Sequence, residues 1–198
     1  MHPRPDAPRP RPIAQWGLAA LWCAVLGWYA FVRSTRVPLL GWVDLGFHEL
    51  GHLIMYVVPI SQLLTAAMGS AFQVAVPLGL ATYFAWWRRD ALAGAVCLAW
   101  AATSMQDASV YIADAPYEAL QLIGGEHDWA FVLGAEGLDR LDDAAAIART
   151  VRGFGVVALV VAAGLIAYGA WCAVSDRTRA RGPVGATAPT ADDRFPTR

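Results

Sequence analysis

Apolar residues gather along this chain in long blocks with short polar breaks between them, rather than alternating as in a half-buried strand. A helix needs about 20 mostly apolar residues to cross the hydrocarbon core of a bilayer. Five blocks approach or exceed that length, over residues 14–32, 39–60, 63–87, 91–115 and 154–174. Arg33 and Arg36 close the first, and Pro38 and Pro59 bracket the second. Arg88, Arg89 and Asp90 end the third, and Pro116 ends the fourth. The pattern predicts an all-α fold: a multi-pass transmembrane helical bundle of about five spans, occupying residues 14–174. The first block is too long for a signal peptide and no A-x-A site follows it, so it reads as an uncleaved anchor. Residues 1–13, rich in Pro and Arg, read as a disordered arm, and residues 175–198 as a disordered tail. The long connection, 117–153, is apolar on both sides of a charged knot and is expected to be partly re-entrant or interfacial. Its stretch LDRLDDAAAIARTVR has the spacing of an amphipathic helix lying at the interface, or of a polar extension of the last span.

Composition sharpens this reading. The chain is 57% hydrophobic and 16% charged, against about 45–50% and about 25% in an ordinary soluble domain. All 15 basic residues are Arg and the net charge is −1, which provides no field to hold nucleic acid. Arg33, Arg36, Arg88, Arg89, Arg177, Arg179 and Arg181 fall on one expected side. The short-loop bias makes that side cytoplasmic and leaves the N-terminus outside, in a bacterial-type cell membrane. Cys23, Cys97 and Cys172 lie singly inside apolar blocks and read as packing residues.

The second block, LLGWVDLGFHELGHLIMYVVPI, carries Asp44, His48, Glu49 and His52 where lipid-compatible residues are expected. A charged group near the bilayer centre costs about 2.5–3.5 kcal/mol on insertion scales, so the cluster needs a compensating role. His48 and His52 are one helical turn apart on one face, the spacing with which two imidazoles hold a Zn²⁺ ion. Glu49 beside them is placed as general base. Chance matches to H-E-x-x-H are expected about 0.002 times in such a composition. A buried polar cluster bonding between helices is the plainer alternative. Asp44, one turn earlier, is expected to orient the free nitrogen of His48.

A catalytic zinc needs a third protein ligand. His127, in GGEHDW after a turn at Gly124 and Gly125, is the first candidate, with Asp128, Asp107 and Asp114 as alternatives. The same HDW segment also reads as an interfacial turn, with Asp128 capping a helix and Trp129 in the headgroup belt. Asp107 and Asp114 share a helical face with Tyr111 between them. Gln73, on one face with Gly69 and Pro77, is expected to bond across to the histidine helix, to hold an extended substrate, or simply to glue helices together. Trp86, Trp87 and Trp100 are expected to face lipid or the interface.

At HELGH within an apolar span, the chain resembles the site-2-protease class of intramembrane zinc metallopeptidases. It is more similar still to uncharacterised bacterial members with a Gly-rich HDW loop. The resemblance covers roughly residues 41–134 and implies His48 and His52 as zinc ligands and Glu49 as the base. Site-2 proteases take their third ligand from an Asp followed by Gly in a later helix. No Asp-Gly pair occurs here, and Asp107 and Asp114 each precede Ala. The expectation is a zinc endopeptidase cutting a membrane protein or peptide in or near the bilayer. Two other classes are a non-catalytic zinc protein and a cation or proton transporter using its intramembrane Asp and His.

Overall fold

A computed structural model describes residues 11–57, 61–122 and 126–180. The expected arm before residue 11, the end of the second block at 58–60, the Gly124–Gly125 turn and the tail beyond residue 180 lie outside the described residues. Among those described the chain is helical, without strands. Helix α1 covers Ile13–Gly27 and continues as a π turn over Trp28–Val32. Helix α2 is Leu40–Val57, and α3 is Gln62–Thr82, with a π turn over Tyr83–Trp87. Helix α4 is Ala91–Asp114, α5 the short Asp128–Leu133, and α6 the long Ala144–Ala180. Segments Ile13–Val32, Gln62–Trp87 and Leu141–Arg179 are long and apolar enough to cross a membrane, as in a membrane protein. Helices α2 and α4 fall short of that standard because they carry the acidic, imidazole and amide groups that build the site.

Local chemistry sets the helix starts. Ser61 caps α3 through Leu64 N, and Asp90 caps α4 through Ala93 N at 3.0 Å while pairing with Arg11. Of the two readings of the stretch before the last span, an interfacial helix or a polar extension, the second holds from Ala144, and the helix departs from expectation at its other end, where residues 175–180, expected to be disordered, continue it.

Helix α4 is the hub, packed on α6, α3 and α1. Its Ala95, Ala99, Ala101 and Ala102 are fully buried, because small side chains let neighbouring backbones approach closely. Ala95 and Ala99 join Ala19, Cys23, Leu26, Ala162 and Ile166 in one cluster. Large apolar side chains such as Leu18, Trp22, Val157 and Val160 point outward.

Contacts fix the helix directions. Arg11 and Asp90 meet at the starts of α1 and α4, and Phe31, near the end of the α1 segment, lies beside Gly155 with Ala102 and Met105. Asp44 of α2 bonds to Trp100 and Ser104 of α4, and the His48 ring faces Tyr111 farther along. Thus α1, α2 and α4 run one way. Helix α3 opposes them, with Gln73 on Asp107 and Gly94 against Ala81 and Ala85. Helix α6 also opposes them, with Arg152 on Gln106 and Gly169 against Trp16. Five successive crossings would alternate in direction, and α1 and α2 do not. The connection 33–39 doubles back along the bundle, so that Leu40 packs beside the Ala95–Ala99 cluster. Helix α2 therefore begins at mid-bundle. The reversal places Ser34 at φ 51° and Leu39 at φ 64°, left-handed conformations that cost roughly 1–2 kcal/mol each in residues with a Cβ.

Candidate metal centre

On α2 the four-residue spacing stacks His48 over His52, with ring centroids 4.8 Å apart and the rings nearly edge-on. Both rings face α3. There His52 Nδ1 donates to the Thr65 carbonyl at 2.8 Å, so Nε2 is the nitrogen left to face an ion. Gly51 permits this approach. A Cβ there would sit 2.5 Å from the Met68 carbonyl oxygen and 2.9 Å from Phe72 Cβ.

Asp128, the first residue of α5, supplies the third donor. Its Oδ2 lies 3.0 Å from His48 Nε2 and 3.3 Å from His52 Nε2. The donor atoms of these three residues lie within 4.8 Å of one another and could hold a metal ion. Burial works to raise the Asp128 carboxyl, but the two imidazoles outweigh it and hold the group below the usual carboxylate range. Gly69 faces the same point. A Cβ on it would stand 2.5 Å from His52 Nε2 and 2.6 Å from His48 Nε2, so the missing side chain leaves the space in front of both nitrogens open.

Tyr111 positions the carboxylate. Its hydroxyl donates to Asp128 Oδ2 at 3.2 Å and accepts the Asp128 backbone N–H at 3.0 Å. Removing a group that orients a metal ligand costs about 10–100-fold in affinity. Tyr111→Phe is therefore expected to weaken Zn²⁺ binding about tenfold with the helices intact, measured by chelator competition and circular dichroism.

The other residues singled out from the sequence lie outside this group of donors. His127 is turned away from the cluster. Its Nδ1 accepts the Ala130 N–H, capping α5, and its buried Nε2 lies 3.3 Å from Asp114 Oδ2. The cap is His127, not Asp128. Asp114 also accepts from Ala119 N and Leu120 N, which pins the start of the loop. Asp44 does not reach His48. It accepts from Trp100 Nε1 at 2.7 Å and Ser104 Oγ at 2.9 Å, bonds that offset the cost of burying a carboxylate. Trp100 is thus an interhelical donor rather than a lipid-facing aromatic. Gln73 bonds to Asp107 at 3.1 Å instead of to α2, and Asp107 also holds Arg36 at 2.9 Å. Trp129 Nε1 donates to Ser70 Oγ at 3.0 Å, tying α5 to α3. The Thr65 carbonyl and Ser70 have no signature in the sequence.

A cavity of about 760 Å³ opens beside the donors, between α2 and α4, and extends to the 33–39 connection and the segment before α5. Its lining includes His48, His52, Asp128 and Tyr111, together with Glu49, which is exposed to it. A candidate base and three candidate ligands therefore share one water-accessible chamber. Compared with known proteins, the chain matches no family model, no curated protein and no solved structure.

Proposed function

We propose that this chain is a membrane-embedded zinc peptidase, in which His48, His52 and Asp128 hold the ion and Glu49 is the general base. The bundle would lie in the bilayer through α1, α3, α4 and α6, with α2 starting within it. The observation that carries this reading is the convergence of two Nε2 atoms and one carboxylate oxygen beside a cavity lined by Glu49. Two imidazoles and a carboxylate are a donor set suited to Zn²⁺ with a fourth position open. Bound there, zinc would supply Lewis-acid polarisation of a carbonyl and acidify a water. Glu49 would take a proton from the attacking water and deliver it to the leaving amine, so that water is added across the amide C–N bond. Tyr111 would hold Asp128 in place, and the Thr65 carbonyl would hold His52 in its ligating tautomer. The substrate segment would have to be extended, because a helix occupies its own carbonyls. The resemblance at HELGH to the site-2-protease class supports His48, His52 and Glu49 in these roles, while Asp128 rests on the geometry alone.

Metal analysis of the purified full-length chain tests the ligand set. Wild type is expected to carry about one zinc, Asp128→Ala and His48→Ala to lose it, and Asp107→Ala to retain it. Stoichiometric zinc in Asp128→Ala would overturn the assignment.

A further inference from the structure

The 33–39 connection delivers one cationic side chain into the cavity. Arg36 Nε donates to Asp107 Oδ1 at 2.9 Å, and Asp107 Oδ2 is held in turn by Gln73 at 3.1 Å. The stem of Arg36 runs over Gly41, where an added Cβ would meet its Cβ at 3.4 Å and its Cδ at 3.5 Å. Guanidinium direction is thus set by an ion pair, an amide and a glycine, although the side chain is 60% exposed. Among the described residues its two Nη groups have no hydrogen-bond partner. Arg152, the other arginine close by, is already committed to Gln106 and the Phe31 carbonyl.

Arg36 and the three donors line the same cavity, one helical turn of α4 apart in their partners. Asp107, which holds Arg36, and Tyr111, which holds Asp128, are four residues apart, a rise of about 6 Å. Successive Cα atoms of a peptide are about 3.8 Å apart. A substrate with a carbonyl at the donors and its carboxylate at the guanidinium fork would lie along this turn of α4, within the one cavity that both line. The lining also carries Asp44, Glu49, Asp107, Glu126 and Asp128. That negative surround tolerates a monoanion better than a doubly charged phosphate.

We propose that Arg36 anchors a substrate carboxylate about one residue beyond the bond to be cut, giving the cavity a preference for peptides with a free C-terminal carboxyl at that distance. The inference rests on the peptidase reading for its register, but the anion site can be tested separately. Full-length zinc-loaded protein in nanodiscs is titrated calorimetrically with acetyl-trialanine, as the free acid and as the C-terminal amide, with zinc content measured on each sample. The acid is expected to bind at least about tenfold more tightly than the amide to wild type. Arg36→Gln should erase the difference with zinc retained. Arg36→Lys, which keeps the charge but loses the fork, should restore part of it. Inorganic phosphate should compete more weakly than the acid.

Equal binding of acid and amide by zinc-bearing wild type would overturn the proposal, as would discrimination that survives in Arg36→Gln or phosphate outcompeting the acid. Arg36-dependent discrimination in a protein that binds no zinc would support the anion site and overturn the peptidase reading instead.

Discussion

Gly69→Ala is expected to lower zinc affinity at least about 100-fold while leaving the helical bundle assembled. The added methyl carbon would stand 2.5 Å from His52 Nε2, 2.6 Å from His48 Nε2 and 2.7 Å from His48 Cε1. Contacts this short cannot persist, so the imidazoles must swing away. His52 cannot turn freely, because its Nδ1 is held by the Thr65 carbonyl, and rotation would sacrifice the bond that sets its tautomer. The metal pocket therefore absorbs the clash. Outer positions that orient metal ligands already cost about 10–100-fold when altered, and occupying the ligand space itself should reach or exceed the top of that range. Alanine is at least as good a helix former as glycine, so α3 has no local reason to unwind. Competition against a chelator of known affinity, with circular dichroism in parallel, provides the measurement. Unchanged affinity would mean that the ion, if any, sits elsewhere.

Replacing Glu49 by Gln should separate chemistry from metal binding. Glutamine keeps the size and the hydrogen-bonding amide but cannot accept and return a proton at neutral pH. A positioned general base contributes about 10²–10⁴-fold to rate, so kcat on a quenched fluorescent peptide should fall by that factor at constant zinc content. Glu49 is not among the three converging donors, which is why zinc should stay. If Glu49→Gln keeps both zinc and the protein's native function, the ion is a clamp tying the α5 segment to α2. A transporter would instead be more sensitive at Asp107 and Asp114. In the structure, Asp107 is held by Arg36 and Gln73, while Asp114 accepts from Ala119 N and Leu120 N beside His127.

The histidine pair was legible because helical period alone puts residues four apart on one face, whatever the rest of the fold does. The helical class and the apolar blocks were legible for a similar reason, since length and hydrophobicity are local properties. The third donor was legible only as a choice among His127, Asp128, Asp107 and Asp114. His127 and Asp128 are neighbours, and which one faces α2 depends on the start of α5. His127 sits in an extended conformation, φ −100° and ψ 102°, and turns back to cap Ala130. Asp128 is thereby the residue turned toward the imidazoles. Histidine is not an ordinary capping residue, so the sequence favoured it as a ligand. The partners of Asp44 and Gln73 were hidden for another reason. Each bonds across to α4: the partner of Asp44 depends on how the backward turn at 33–39 seats α2, and that of Gln73 on the rotation of α3 against α4, neither of which hydropathy encodes.

That backward turn divides the molecule into two storeys. On one side of it, Leu26, Ala95, Ala99 and Ala162 form a dry plug of fully buried apolar side chains. On the other lies a vestibule rimmed by imidazole, guanidinium and carboxylate groups. A proton or ion entering the vestibule meets a floor with no polar stepping-stones through that cluster. Polar groups gathered in the vestibule are thereby walled off from the opposite end of the bundle.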